Sequence, residues 1–284
     1  MRTRYVATIP LDEERLAKDL AHSATFRFSE AYSDYLIGGP WKSVTLWATG
    51  GDSGDGVLTN YDYGRSATFT DHGRQLPYLQ EIITSTADLS RLNFVRLAVI
   101  SNSVILPHRD FLELGEIPEE SRSAHRLHIP LVTHDQCFFS EDNVVYRMGA
   151  GEVWFFDAYQ MHSVASLSNV SRTHLIFDFV DRAGDGPLVT VDTGDDGGIP
   201  ADRTVVRAPL PDEDRAELLR LANVLTMDTF WEVFAILIKK HFRYDGGDDF
   251  VWQTMMAIAR ASKDPAVLPH TLELHRYYTL ERSA

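Results

Sequence analysis

"LNFVRLAVISNSVILPHRD" occupies residues 92–110. Two apolar runs of β type, parted by Ser-Asn-Ser, end abruptly on His108, Arg109 and Asp110. The chain then turns apolar again at Phe111 and Leu112. Similar short runs continue as far as Val180: "HRLHIPLV", "CFFS", "VVYRM", "EVWFF", "HSVASL" and "THLIFDFV". Turn residues, among them Gly149, Gly151 and Asn169, separate them. Many short strands at regular spacing argue for a sandwich or a jelly-roll barrel. Trp154, Phe155 and Phe156 read as its core.

Outward from this block the pattern changes on both sides. "LDEERLAKDLAHS" (Leu11 to Ser23) places Leu11, Leu16 and Leu20 near one helical face, with acids early. "WKSVTLWAT" (Trp41 to Thr49) follows a Gly-Gly-Pro turn and reads as a strand. Residues 50–76 are polar and Gly-rich, which predicts a loop or a mobile lid. "LPYLQEIITSTADL" reads as a helix with Pro77 near its start. Residues 181–212 are acidic and Gly-rich, as in a linker or a surface excursion. Four helical segments follow, from "DEDRAELLRLANVL" to "DPAVLPHTLELHRYY". The division expected is a mainly β catalytic domain over 1–180, a linker over 181–212 and a helical domain over 213–284.

Bulk properties narrow the function. The chain has 284 residues, 44% of them hydrophobic, as in an ordinary globular protein. A formal net charge of −14 argues against nucleic acid or an anionic membrane as partner, since both need a basic face. No apolar run reaches the ~18 residues of a membrane span. The N-terminal "MRTRYVATIPLDEERL" lacks the apolar core of a signal peptide. The single cysteine, Cys137, fits the reducing cytoplasm.

Residues i and i+2 of a strand share a face, so His108 and Asp110 can reach one point. An imidazole and a carboxylate suit a divalent first-row metal, and a second histidine would complete the facial triad of non-haem Fe(II) oxygenases. The bland alternative is a hydrogen-bonded His-Asp pair. Downstream, "GEVWFFDAYQMHS" brings His162 to the start of another strand. Arg172 follows ten residues later, before a β run. Its fixed fork of donors suits the far carboxylate of a dicarboxylate that chelates the metal. The four residues together, in this order, favour the metal reading.

The block "PHRDFLEL…HRLHIPL…GEVWFFDAYQMHS…SRTHLIFDF" resembles the aspartyl/asparaginyl β-hydroxylase family of Fe(II)/2-oxoglutarate dioxygenases, and within it the bacterial proline 3- and cis-4-hydroxylase branch. The resemblance implies a double-stranded β-helix, the cupin-like jelly roll, with a C-terminal α-helical domain. It implies Fe(II), 2-oxoglutarate and O2 as cofactors, with ascorbate as reductant in vitro. It makes His108, Asp110 and His162 the iron ligands and Arg172 the residue that binds the distal carboxylate of 2-oxoglutarate. His128 would contact the cosubstrate. Arg126, two residues earlier, would hold the substrate carboxylate. Trp41 lies in a segment that resembles one bordering the substrate pocket. The family's membrane-associated peptide hydroxylases lack the carboxylate ligand that Asp110 provides here. Its presence also argues against halogenase chemistry.

Arg96, a charge inside "FVRLAVI", is either solvated on an edge strand or a second guanidinium for the substrate. His125 alternates off the pocket face, His134 lies in a turn, and His174 can face inward. His241, His270 and His275 fall on helices. The function implied is hydroxylation of a free cyclic imino acid, L-proline or L-pipecolate, giving succinate and CO2 as coproducts. Another free amino acid or a peptidyl residue is the alternative substrate, and a non-enzymatic jelly-roll binding protein is the remaining reading.

Overall fold

The computed structural model describes residues 2–32, 36–37, 41–110, 115–180, 186–191 and 197–279. The apolar return at Phe111 and Leu112 and the Gly-Gly-Pro turn before Trp41 lie outside them. In chain order the main strands are β1 (Arg4–Thr8), β2 (Leu36–Ile37), β3 (Lys42–Thr49), β4 (Ala67–Phe69), β5 (Leu92–Ile100), β6 (Ser103–His108), β7 (Ser123–Val132), β8 (Cys137–Glu141), β9 (Val144–Tyr146), β10 (Glu152–Phe156), β11 (His162–Ser166) and β12 (Arg172–Val180). They form two antiparallel sheets. The larger has the order β1-β10-β7-β12-β5-β3-β4, and the smaller β2-β6-β11-β8-β9. Apart from the β3-β4 and β8-β9 pairs the neighbours are non-sequential, as in a jelly roll. Each β run expected between Leu92 and Val180 is present as a strand.

β12 shows why the sequence pattern concealed the two faces. All nine of its residues are buried. Leu175, Phe177 and Phe179 face outward with Val95, Leu97, Leu127 and Ile129, under helices α1 (Glu13–Ser23) and α3 (Pro77–Thr86). By strand alternation Arg172, His174, Ile176 and Asp178 face the smaller sheet. Truncating Phe177 to Ala would cost about 3–5 kcal/mol at such a site.

The two helices lock together through their own ends. Asp12 caps α1 by accepting from the Arg15 amide at 3.0 Å, and Glu13 and Glu14 complement the helix dipole. Buried Asp19 accepts from the Leu79 amide of α3 at 2.9 Å, satisfying an N-terminal donor that Leu76 cannot cap.

The smaller sheet buries its outer face against the C-terminal helices. Val104, Leu106, Phe138 and Ala165 share one cluster with Phe234, Leu237, Trp252 and Met255. The helices are α4 (Asp212–Leu219), α5 (Phe230–His241), α6 (Phe250–Ala261) and α7 (Val267–Tyr278), after α2 (Asp71–Arg74) in the first half. The chain between β12 and α4 is largely exposed or half-buried where it is described, with a few anchors. Leu188 and Val189 enter the larger core, and Arg203 pairs with buried Glu152 at 2.5 Å. Residues 50–76, expected as a loop or mobile lid, include β4 and α2 and bury Leu58 and Tyr61. Gly151, expected in a turn, has φ +77, and a Cβ there would meet the Ile9 carbonyl at 2.5 Å.

Candidate metal centre

β6 and β11 are neighbours, and their register places His162 opposite His108. The two rings lie 4.1 Å apart by centroid. Nδ1 of His108 is 2.8 Å from the Leu106 carbonyl, and Nδ1 of His162 is 2.9 Å from the Gln160 carbonyl. A carbonyl only accepts, so each Nδ1 carries a proton, which leaves Nε2 as the ring nitrogen that would ligate a metal. Asp110 follows the end of β6, and its amide is fixed to the Ala158 carbonyl at 2.8 Å. Its Oδ1 lies 3.1 Å from Nε2 of His108. The ligand atoms of His108, Asp110 and His162 all fall within 4.8 Å of one another. Two imidazoles and one carboxylate on one side of a point fit a divalent iron with open positions opposite.

Electrostatics suit a metal here. Burial, with repulsion from His108, pushes His162 down to about 3, against the pull of Asp110. Burial works to raise Asp110, but the Arg126 guanidinium and the His108 contact outweigh it and hold the carboxyl well below its usual range. The site is thus a neutral His162 beside an ionised Asp110.

Further along the interior stands a second polar group. Arg172 is 2% exposed, with its guanidinium carbon 4.9 Å above the Phe139 ring. Its Nε and Nη1 have no hydrogen-bond partner. His128 and His174, the latter fully buried, touch through their Nδ1 atoms at 3.4 Å, and both Nε2 atoms are also unpartnered. Burial, reinforced by nearby guanidinium groups, holds both histidines neutral, and it lowers Arg172 to about 10. Each unmade buried hydrogen bond costs about 1–3 kcal/mol. The two unmet guanidinium donors of Arg172 in a dry pocket fit a carboxylate.

A chain of ion pairs ends on the metal centre at Asp110. Arg96 donates through Nη2 to Oδ2 of Asp178 at 2.5 Å. Arg126 donates through Nε to Oδ1 of Asp178 at 2.8 Å and through Nη1 to Oδ2 of Asp110. Of the two readings of Arg96, the solvated edge-strand one is corrected. β5 lies between β12 and β3, and Arg96 is 4% exposed. Arg126 reaches the metal centre directly, with Nη2 the remaining face of its fork. Trp41 is half-buried just before β3. His125 sits opposite Phe179, on the outward face as expected.

Sequence reasoning missed two parts. Asp178 is invisible as a partner until β12 is placed beside β5 and β7. A small aromatic cluster was also missed: Leu58, Tyr61, Phe94 and Ile117, with Tyr63 packed on it. Phe94 precedes Arg96 by two on one strand, which was a usable signal. Tyr61 and Tyr63 sit in a Gly-rich stretch that gave none. Burial and then Asp178 raise the Tyr63 hydroxyl, which places that ring near the Arg96 end of the chain. A separate cleft of about 710 Å³ opens between the barrel and the C-terminal helices, and of the three donor residues only His162 lines it.

With the site defined, relatives can be compared. Residues 6–182 match the family model described as aspartyl/asparaginyl beta-hydroxylase, and residues 187–284 match that of the L-proline 3-hydroxylase C-terminal region. The chain belongs to the aspartyl/asparaginyl β-hydroxylase family and is an oxygenase enzyme. It is 34% identical to L-proline cis-3-hydroxylase 1 of a Streptomyces species, over 93% of this chain and 90% of that protein. It is 30% identical to L-proline cis-4-hydroxylase of Rhizobium meliloti, over 98% of this chain and 96% of that protein. Among solved structures, a 2OG-Fe(II) oxygenase family member from Burkholderia pseudomallei covers 62% of this chain and 84% of its own, at 14% identity and a TM-score of 0.38.

Proposed function

We propose that this enzyme hydroxylates a free cyclic imino acid, L-proline or its six-membered homologue L-pipecolate, using Fe(II), 2-oxoglutarate and O2. One observation carries the reading: a His-Asp-His donor set and a buried, unpartnered Arg172 share the interior of one barrel. The names of the relatives, L-proline cis-3- and cis-4-hydroxylases, point to the substrate. His108, Asp110 and His162 would hold the iron. Arg172 would take the far carboxylate of 2-oxoglutarate, with His128 and His174 lining the same pocket. The bound metal and cosubstrate supply the oxidation that puts one oxygen atom on a C–H bond, with succinate and CO2 as coproducts.

The chain's own contribution is placement. Arg126 has Nη2 left for the substrate carboxylate beside the metal. Tyr63, packed on buried Phe94, and Trp41 would offer apolar surface for a ring. The carbon held nearest the metal is the one that reacts. Two relatives that differ in the carbon named, at similar identity, fit a regiochemistry set by small shifts in this wall. The absence of a membrane-spanning helix among the described residues and a lone cysteine accord with a cytoplasmic setting.

The test is an assay with Fe(II), ascorbate and 2-oxoglutarate, offering L-proline, L-pipecolate and a proline-containing peptide. The expected product is one oxygen heavier than a free imino acid, with one succinate formed per turnover. A product from the peptide alone would replace the free-substrate reading with a peptidyl one.

A further inference from the structure

We propose that Asp178 is a positioning residue of the metal centre: acting through Arg126, it decides which oxygen of Asp110 is left for the metal. The inference rests on the reading that His108, Asp110 and His162 hold a divalent ion.

Asp178 is fully buried, on the inward face of β12, and each of its oxygens is engaged by a different guanidinium. Arg96 comes from β5 on one side and Arg126 from β7 on the other, both paired to β12 in register. The charges alternate along the line Arg96, Asp178, Arg126, Asp110, so the chain is neutral before a metal arrives. Arg126 is the element that matters. A guanidinium has two bidentate edges, and an arginine left alone beside a carboxylate tends to take both oxygens in a fork. Here the Nε of Arg126 is turned to Asp178, and only Nη1 reaches Asp110, at Oδ2. Oδ1 is left facing Nε2 of His108 at 3.1 Å, on the side where His162 also points.

Were Asp178 neutral, Arg126 would lose its second anchor. It could then close on both oxygens of Asp110 and compete with the metal for the donor atom. Stability does not account for the arrangement, because a buried ion-pair chain is often no better than a well-packed apolar core. Partners of ligating carboxylates, by contrast, tune metal affinity strongly.

The experiment uses the full chain, stripped of metal by a chelator, and Co(II) as the probe. Co(II) is titrated into wild type, Asp110→Ala and Asp178→Asn, followed by its d–d absorption. Wild type should bind one Co(II), and Asp110→Ala should lose that binding. Asp178→Asn should bind about 10- to 100-fold more weakly, with a changed d–d spectrum, while its circular dichroism matches wild type. If Asp178→Asn does not fold, the double variant Arg96→Met/Asp178→Asn, which removes the stranded charge as well, is titrated instead and should show the same weakening. Co(II) binding within twofold of wild type with a superimposable spectrum, in whichever variant folds, overturns the role of Asp178 alone. Failure of wild type to bind Co(II), or binding untouched by Asp110→Ala, overturns the metal reading and the role of Asp178 with it.

Discussion

The interior of the barrel holds two polar groups that differ in one respect. At the Asp178 end the charges meet partners inside the protein: two arginines and two aspartates bind one another in a line. At the Arg172 end the polar atoms meet none, since Arg172 Nε and Nη1 and the Nε2 atoms of His128 and His174 are all unpartnered. Burying either group is costly. A satisfied network repays part of that cost by holding side chains still. An unsatisfied one, in a chain that folds, is a site that a ligand completes. The contrast assigns the first group, which ends on the donor Asp110, to positioning and the second to binding.

The strongest break in this scheme is at the donors themselves. Asp110→Ala or His162→Ala should bring Fe(II)-dependent turnover below detection, with circular dichroism unchanged. Succinate formation at the wild-type rate in either variant would remove these residues from the metal centre. Next comes the binding side. Arg172→Gln should raise the KM for 2-oxoglutarate by ~30- to 1000-fold, the equivalent of roughly 2–4 kcal/mol for a charge-assisted pair in a dry pocket. It should leave Co(II) binding nearly intact, which is what separates the two groups. An unchanged KM would show that another residue holds that carboxylate.

How much of this was legible beforehand follows from distance along the chain. The jelly roll could be read because its strands are short, regularly spaced and bounded by turns. His108, Asp110, His162 and Arg172 could be read because each lies at a strand end and carries a type of side chain a metal or a dicarboxylate needs. Their convergence, 4.8 Å across for the three donors, is what the structure adds. Arg96 was left between two readings because a charge in an apolar run looks the same on an edge strand as inside a barrel. Only the neighbours decide, and its partner Asp178 lies 82 residues away. The loop reading of 50–76 was incomplete because the Gly, Asp and Ser content hides Leu58, Tyr61 and Tyr63, which pack with Phe94. In β12 the outward face is as apolar as a core strand, so the inward alternation of Arg172, His174 and Asp178 supplies the signal.

The buried histidines give the scheme a pH dependence. Burial depresses His162 to about 3 and His241 to about 4, and places His128 and His174 well below the ordinary histidine range. In the unfolded chain the same groups titrate near ~6.5. The folded form therefore binds fewer protons between these values. The stability contributed by keeping them neutral is fully present above pH ~6.5 and is lost as pH falls towards the folded values. Each fully shifted group adds a slope of about 1.4 kcal/mol per pH unit over that window. Urea unfolding of the metal-free protein should show a stability roughly flat near pH 7 to 8 that declines steeply from pH 6 to 4.5. A flat profile across that lower window would mean that these rings are already charged in the folded state.

The smallest effect expected probes how the C-terminal helices reach the metal strand. Trp252 of α6 is fully buried and donates through Nε1 to the Pro107 carbonyl at 3.0 Å, one residue before His108. On the other side of His108, the Arg109 amide donates to the Tyr278 carbonyl at 2.9 Å. The strand that carries two of the three donors is thus held from both sides by the helical segment. Trp252→Phe keeps an aromatic ring but removes the donor, leaving the Pro107 carbonyl buried without this partner. The cost should be roughly 1–3 kcal/mol in unfolding free energy. Because the Arg109 tether and the β6–β11 ladder remain, His108 should shift little, and kcat/KM should fall by less than about tenfold. A loss of activity as complete as in His162→Ala, with stability barely changed, would place Trp252 among the groups that set the metal geometry. A loss of stability with full activity would confine it to packing.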